Sequence, residues 1–151
     1  MSLLNLRRFS KMQDENLDCV YDIALAASQI LKDEGYWLTT KFSNEKEMEN
    51  NVKQTGFHFI IIDDSFRKTG VFCLENIGLT AYRDVYSHCE EMIDNDTNDI
   101  KRALIFGKKF TNEEAFHRIK DEKRLLTVND YRPIRIRTLQ ATTECLACQI
   151  S

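Results

Sequence analysis

At Phe57 the hydrophobic pattern of the chain changes period, and no other feature limits the available folds as strongly. Upstream, Leu17, Val20, Ile23, Ala24, Ala27, Ile30 and Leu31 recur at three- and four-residue spacing, the stripe of an amphipathic helix. From Phe57 onward, Phe57-His58-Phe59-Ile60-Ile61-Ile62 is an almost unbroken run of β-branched and aromatic residues. Such a run reads as a strand buried on both faces, and a strand of that kind needs other elements packed above and below it.

The remaining elements are legible from the same two periods. The first helix should span 17–31, with Asp14 or Asn16 as its cap and Gly35 just past its end. Tyr36 to Thr40 reads as a short bulky connector. Asn44 with Glu47 three residues on is a capping box opening a polar surface helix that stops before Gly56. Asp63-Asp64-Ser65 and Lys68-Thr69-Gly70 supply turn chemistry between strands 57–62 and 71–74. Leu79, Tyr82, Val85, Tyr86, Cys89, Met92 and Ile93 mark a helix over 79–93, followed by a buried strand over 102–106. Thr111 with Glu114 is a second capping box, Leu125 to Val128 reads as a short strand, and Ile134-Arg135-Ile136-Arg137 alternates as an edge strand would. Helices alternating with buried strands predict an α/β fold: a single layered domain with a mixed sheet and helices on both faces. The crossover rule places the 79–93 helix between strands 71–74 and 102–106. The expected division is an N-terminal extension over 1–13, the α/β domain over 14–128, and an edge strand with a tail over 129–151.

Charge and composition narrow the function. A net charge of -3 argues against a protein that coats nucleic acid by bulk charge, although a local basic strip could still touch phosphates weakly. One proline and five glycines in 151 residues leave no room for a linker-rich or low-complexity design. No apolar stretch has the length of a membrane span. Met1 to Arg8 lacks the apolar core and small-residue cleavage site of a secretory leader. Five cysteines without framework spacing read as reduced thiols, which predicts an intracellular protein of the cytoplasm or nucleus.

The residues that could carry chemistry form few constellations. Asp63 and Asp64 at one strand end, with Glu75 at the end of the next, could hold a divalent cation for phosphodiester hydrolysis. Such sites also need a lysine two positions after the second acid, and Ile77 stands there, so turn carboxylates are the better reading. The run Asp94 to Asp99 begins like a calcium loop, but Asp99 replaces its glycine and Ile105 its terminal glutamate. Cys145-Leu146-Ala147-Cys148 is half of a zinc site, completed only if a partner chain supplied the other half. No spacing pairs His58, His88 or His117 with a thiol, and no glycine-rich phosphate loop occurs. The sequence therefore assigns no catalytic residue, no metal ligand and no cofactor. The basic candidates are Arg132, Arg135 and Arg137, with Lys120, Lys123 and Arg124 upstream; alternation puts Arg135 and Arg137 on one strand face. With the apolar Leu146 and Ile150, the arginines make 132–151 the expected partner-binding element, acting by strand addition or by contacts to an acidic surface. An edge strand charged against aggregation is the plain alternative.

The segment Ile30-Leu31-Lys32-Asp33-Glu34-Gly35-Tyr36-Trp37-Leu38-Thr39-Thr40 resembles the helix, Gly-Tyr, hydrophobic-hydrophobic-Thr opening of the jaw subunit shared by eukaryotic-type, cellular or viral, DNA-directed RNA polymerases. Val71-Phe72-Cys73-Leu74-Glu75-Asn76-Ile77-Gly78-Leu79, continuing through Tyr82, Val85 and Tyr86, resembles that family's strand, turn and amphipathic helix. Ala103-Leu104-Ile105-Phe106 and Thr111 continue the pattern, so that the similarity covers about residues 14–128. It implies a restriction-endonuclease-like jaw domain without nuclease activity, a non-catalytic part of a transcription assembly acting through protein–protein contacts near DNA. The residues after Val128 do not show the helix-then-sheet pattern of the family's C-terminal assembly domain, which implies another means of docking. Two other classes compete with this expectation: a stand-alone, viral or cellular, interaction module unrelated to transcription, and a metal-dependent nuclease with a degenerate site.

Overall fold

A computed structural model describes residues 19–95, 99–129 and 133–139. Helix α1 (Val20–Asp33) carries the first apolar stripe and buries Ile23, Ala24, Ala27 and Leu31. Cys19 stands at its N-cap without a side-chain cap, and the expected caps Asp14 and Asn16 lie outside the described residues. Strand β1 (Trp37–Thr40) follows, where the sequence suggests only a connector. Four residues are too few to display a period, and this strand exists because Trp37 and Leu38 pair with Ile62 and Ile61.

Helix α2 (Glu45–Thr55) opens as its capping box predicts, with Asn44 Oδ1 accepting from the Glu47 amide at 2.9 Å. The reciprocal contact is shifted by one residue, since the Glu47 carboxylate accepts from the Ser43 amide at 2.9 Å instead. Gly56 ends the helix at φ 86°, a left-handed conformation that glycine adopts without strain. Strands β2 (Phe59–Ile62) and β3 (Lys68–Ile77) form an antiparallel hairpin, and β3 is much longer than the predicted 71–74. Helix α3 (Leu79–Ile93) has the predicted bounds. Strand β4 (Arg102–Phe110) runs parallel to β3, and β5 (Ile134–Thr138) parallel to β4.

Helix α4 (Glu113–Asn129) corrects two expectations. Its cap is Asn112, whose Oδ1 accepts from the Ala115 amide at 2.8 Å, while the Thr111 amide bonds Ile77 O at the end of β3. The helix also runs through 125–128, where the sequence suggests a strand. Leu125 to Val128 favours strand locally, but neither glycine nor proline lies between Gly107 and Pro133 to stop a helix once started.

The five strands form one mixed sheet in the order β1-β2-β3-β4-β5, with β1 to β3 antiparallel and β3 to β5 parallel. Period two sorts the side chains into two cores. Phe59, Ile61, Val71, Cys73, Leu104 and Phe106 pack with α1 and with Met48 of α2. Ile60, Ile105, Ile134 and Ile136 pack with Tyr82, Val85 and Cys89 of α3 and with Ala115 and Ile119 of α4. Both crossovers advance in the same direction and lie on the same face, so they share one hand. The domain is α/β, with helices covering both faces of the sheet.

One close approach holds the hairpin together. A Cβ on Gly70 would lie 2.2 Å from the Phe57 ring, so the ring fills the space that a side chain on β3 would occupy. Gly70→Ala should therefore destabilise the domain by about 1–3 kcal/mol through overpacking. Urea unfolding of this variant checks that cost, and a change below about 0.5 kcal/mol would show that the ring is not held against β3.

Candidate functional site

The acidic constellation does not assemble. In the antiparallel hairpin Ile62 pairs with Lys68, so Asp63 sits beside the start of β3, while Glu75 lies seven residues further along it. At ~3.3 Å per strand residue that separates them by roughly 23 Å. Asp63 is already committed to the turn: Oδ1 accepts from the Ser65 and Arg67 amides at 2.9 and 3.1 Å, and Oδ2 from Arg67 Nε at 3.1 Å. The Arg67 amide, above all, holds its carboxyl below the usual carboxylate range. Asp63, Asp64 and Glu75 thus form no metal site, and no group of three His, Cys, Asp or Glu side chains suited to a metal occurs among the described residues.

The two buried thiols are equally unsuited to chemistry. Burial pushes Cys89 up to about 12 and Cys73 higher still, so both remain protonated in the core. His58 reaches Cys73 through its backbone amide, and not through its sulfur. Cys145 and Cys148 lie outside the described residues.

The arginines separate by role. Arg135 and Arg137 do share one face of β5, an edge strand, as the alternation predicts. Arg137 turns inward, however. Its Nη1 and Nη2 donate to the two carboxylate oxygens of Glu34 at 2.8 and 2.7 Å, and its guanidinium lies 5.6 Å from the Phe106 ring centroid. It fastens the last strand to the C-terminal end of α1, a structural role that its place in the sequence pattern does not announce. Arg135 is exposed. Arg132, Leu146 and Ile150 lie outside the described residues.

The structure adds a feature that the sequence pattern does not announce. Trp37 and Phe66 are the large apolar side chains left exposed among the described residues, at 60% and 73%. They occupy the same end of the sheet, because Trp37 pairs with Ile62 and Ile62 leads directly into the turn that carries Phe66. Phe66 has φ 61°, a conformation in which a non-glycine residue costs about 1–2 kcal/mol. Nothing in the turn requires an aromatic there, since the turn is held by Asp63 and by the Phe66 amide bonding Asp63 O at 3.0 Å. An aromatic inside the polar run Asp-Asp-Ser-Phe-Arg-Lys is the one sequence signal that could have marked it. β1 presents Trp37, Leu38, Thr39 and Thr40 at the sheet margin, with no charge among them. The opposite margin, β5, alternates arginine with isoleucine. Charge on an edge discourages strand addition, and β1 lacks that protection.

No helix among the described residues is long and apolar enough to cross a membrane. Arg137→Met should cost about 0.5–1 kcal/mol, the worth of a bidentate pair with one partner exposed, with Glu34→Gln costing similarly and the double variant little more than either. A thermodynamic cycle on chemical denaturation checks this, and full additivity would show that the two side chains do not interact. Comparison of the chain with protein-family models, with curated proteins and with solved structures finds no match.

Proposed function

We propose that this chain is a non-catalytic interaction subunit of a multisubunit transcription assembly, and that it docks by adding an extended segment of a partner subunit to β1. The observation that carries the docking mode is the uncharged margin of β1 with Trp37 and Phe66 exposed beside it. Backbone pairing along an open strand supplies affinity, and flanking aromatics supply most of the side-chain energy at protein interfaces. The occupant follows from the margin's chemistry: an uncharged, β-branched or aromatic segment loses no charge solvation on pairing with Trp37-Leu38-Thr39-Thr40. The backbone conformation of Phe66 supports the same reading, because an exposed aromatic held at a conformational cost contributes nothing to the isolated domain.

Placement in a transcription assembly rests on the resemblance to the polymerase jaw. Supporting it is the order helix, helix, hairpin, helix, parallel strand, helix, which is the order that the resemblance predicts, with β1 added between the first two helices. The restriction-endonuclease-like part of the reading rests on that same order. The separation of Asp63 from Glu75 agrees with a jaw that does no phosphodiester chemistry. Arg135 on the far margin offers a second contact, to an acidic protein surface or weakly to phosphate, in an intracellular, cellular or viral, complex.

Copurification from the natural source tests the proposal. Large polymerase subunits, identified by mass spectrometry, should accompany the full-length chain and be lost with Trp37→Ser plus Phe66→Gly. Phe66→Gly alone should fold normally and melt slightly higher, by up to about 1 kcal/mol of added stability, since it relieves the left-handed phenylalanine. A partner set without polymerase subunits, or undiminished capture by the double variant, would overturn the proposal.

A further inference from the structure

A histidine substitutes for the main chain where the hairpin ladder runs out. β2 starts at Phe59, and β3 continues past it to Ile77. The His58 amide donates to Val71 O at 2.9 Å, and the next amide on that side of β3, Cys73 N–H, donates to His58 Nδ1 at 2.9 Å. An amide can only donate, so Nδ1 must be the bare nitrogen and the ring neutral, with its proton on Nε2. His58 is 8% exposed, and its ring lies edge-on to Phe72 at 4.5 Å. Phe72 in turn meets the His88 ring of α3 at 5.2 Å.

The surrounding segment is fastened from three sides. His88 Nε2 lies 2.6 Å from Gly56 O, a carbonyl that can only accept, so His88 donates there. A Cβ on Gly56 would meet Met92 Sδ of α3 at 2.3 Å, so the backbone at Gly56 passes tight against that helix. From α2, Asn51 Nδ2 donates to His58 O at 3.1 Å, and the Thr55 hydroxyl donates to Asn51 O at 2.7 Å and accepts from the Phe57 amide at 3.2 Å. The titratable group beside the ring is His88 on α3, and a positive charge on either imidazole opposes one on the other. α2 contributes the neutral Asn51 and Thr55.

We propose that Gly56 to His58 form a proton-released latch joining α2 and the start of β2 to β3. A proton added at Nδ1 converts the acceptor of the Cys73 amide into a second donor pointing at it, and it places a charge against Phe72 in the core. The closed latch cannot accommodate both. The segment opens so that the ring reaches water, while the pairing of β3 with β4 on the other side is untouched. Burial, and secondarily His88, holds the closed ring down at about 4 against an ordinary 6.5. A depressed histidine favours the closed form fully above 6.5, and the advantage is lost as pH falls from 6.5 toward 4. Between pH 7.5 and pH 5 the opening equilibrium should therefore rise roughly 25-fold.

Hydrogen exchange on the intact protein, corrected for intrinsic rate, reads that ratio amide by amide. The Cys73 amide should lose about 25-fold of its protection from pH 7.5 to 5, while Leu104 and Ile105 hold theirs. His58→Gln supplies an amide oxygen that accepts the same N–H without titrating, and it should abolish the difference. An unchanged Cys73 protection ratio, or a difference that persists in the glutamine variant, would overturn the latch. If that variant fails to fold, ring resonances of the unaltered protein decide: titration near 4 upholds the latch, and titration near 6.5 refutes it.

Discussion

β3 is the strand on which every other element is registered. It pairs antiparallel with β2 through Lys68 to Val71 and parallel with β4 from Thr69 to Ile77, so it joins the hairpin half of the sheet to the crossover half. Its alternate side chains also begin both cores: Val71 and Cys73 face α1 and α2, whereas Phe72 and Leu74 face α3 and α4. This alternation fixes register more firmly than hydrogen bonds can. A one-residue slip of β5 would take Ile134 and Ile136, which are fully buried, off the face covered by α3 and α4 and put the arginines there. Each isoleucine stabilises by about 1.5–3 kcal/mol, against about 1 kcal/mol for a net hydrogen bond. Gly70 belongs to the same constraint, since only a strand without a side chain at that point admits Phe57.

A five-stranded open sheet has two margins, and this protein treats them differently. At β5 the two isoleucines are buried, and the Arg137 guanidinium closes the strand against Glu34. At β1 there is no charge, only four residues, and Trp37 stands out beside Phe66. An asymmetry of that kind serves an isolated domain poorly, because an uncharged margin invites pairing with another chain. It fits the proposed addition of a partner segment at β1. The same asymmetry extends inward, as the hairpin half that carries β1 is tied to β3 partly by one neutral imidazole.

Long periodic segments are legible in the amino-acid sequence alone. The helix over 79–93 has the bounds its stripe predicts, and Ile134-Arg135-Ile136-Arg137 is an edge strand as its alternation requires. What the sequence conceals is set by distant partners. Trp37 to Thr40 becomes a strand only against Ile60 to Ile62, and no local pattern reports that pairing. Leu125 to Val128 has strand-forming residues, yet the helix begun at Glu113 carries on through it. The candidate acidic site misleads for a related reason. Asp63 and Glu75 look adjacent as the ends of successive strands, but in a hairpin the end of one strand meets the start of the next. No local pattern reports that Arg137 holds Glu34, more than a hundred residues away in sequence. Phe66 is visible as an aromatic in a polar turn, but its exposure depends on how the turn closes.

Amide hydrogen exchange near neutral pH, followed strand by strand, tests most directly whether β3 is the member on which the sheet depends. If it is, the amides of Val71, Leu104 and Ile105 exchange only with global unfolding and share one free energy, while those of β1 open well below it. Protection in β1 equal to that in β3, or a β3–β4 ladder that opens before the margins do, would contradict the account.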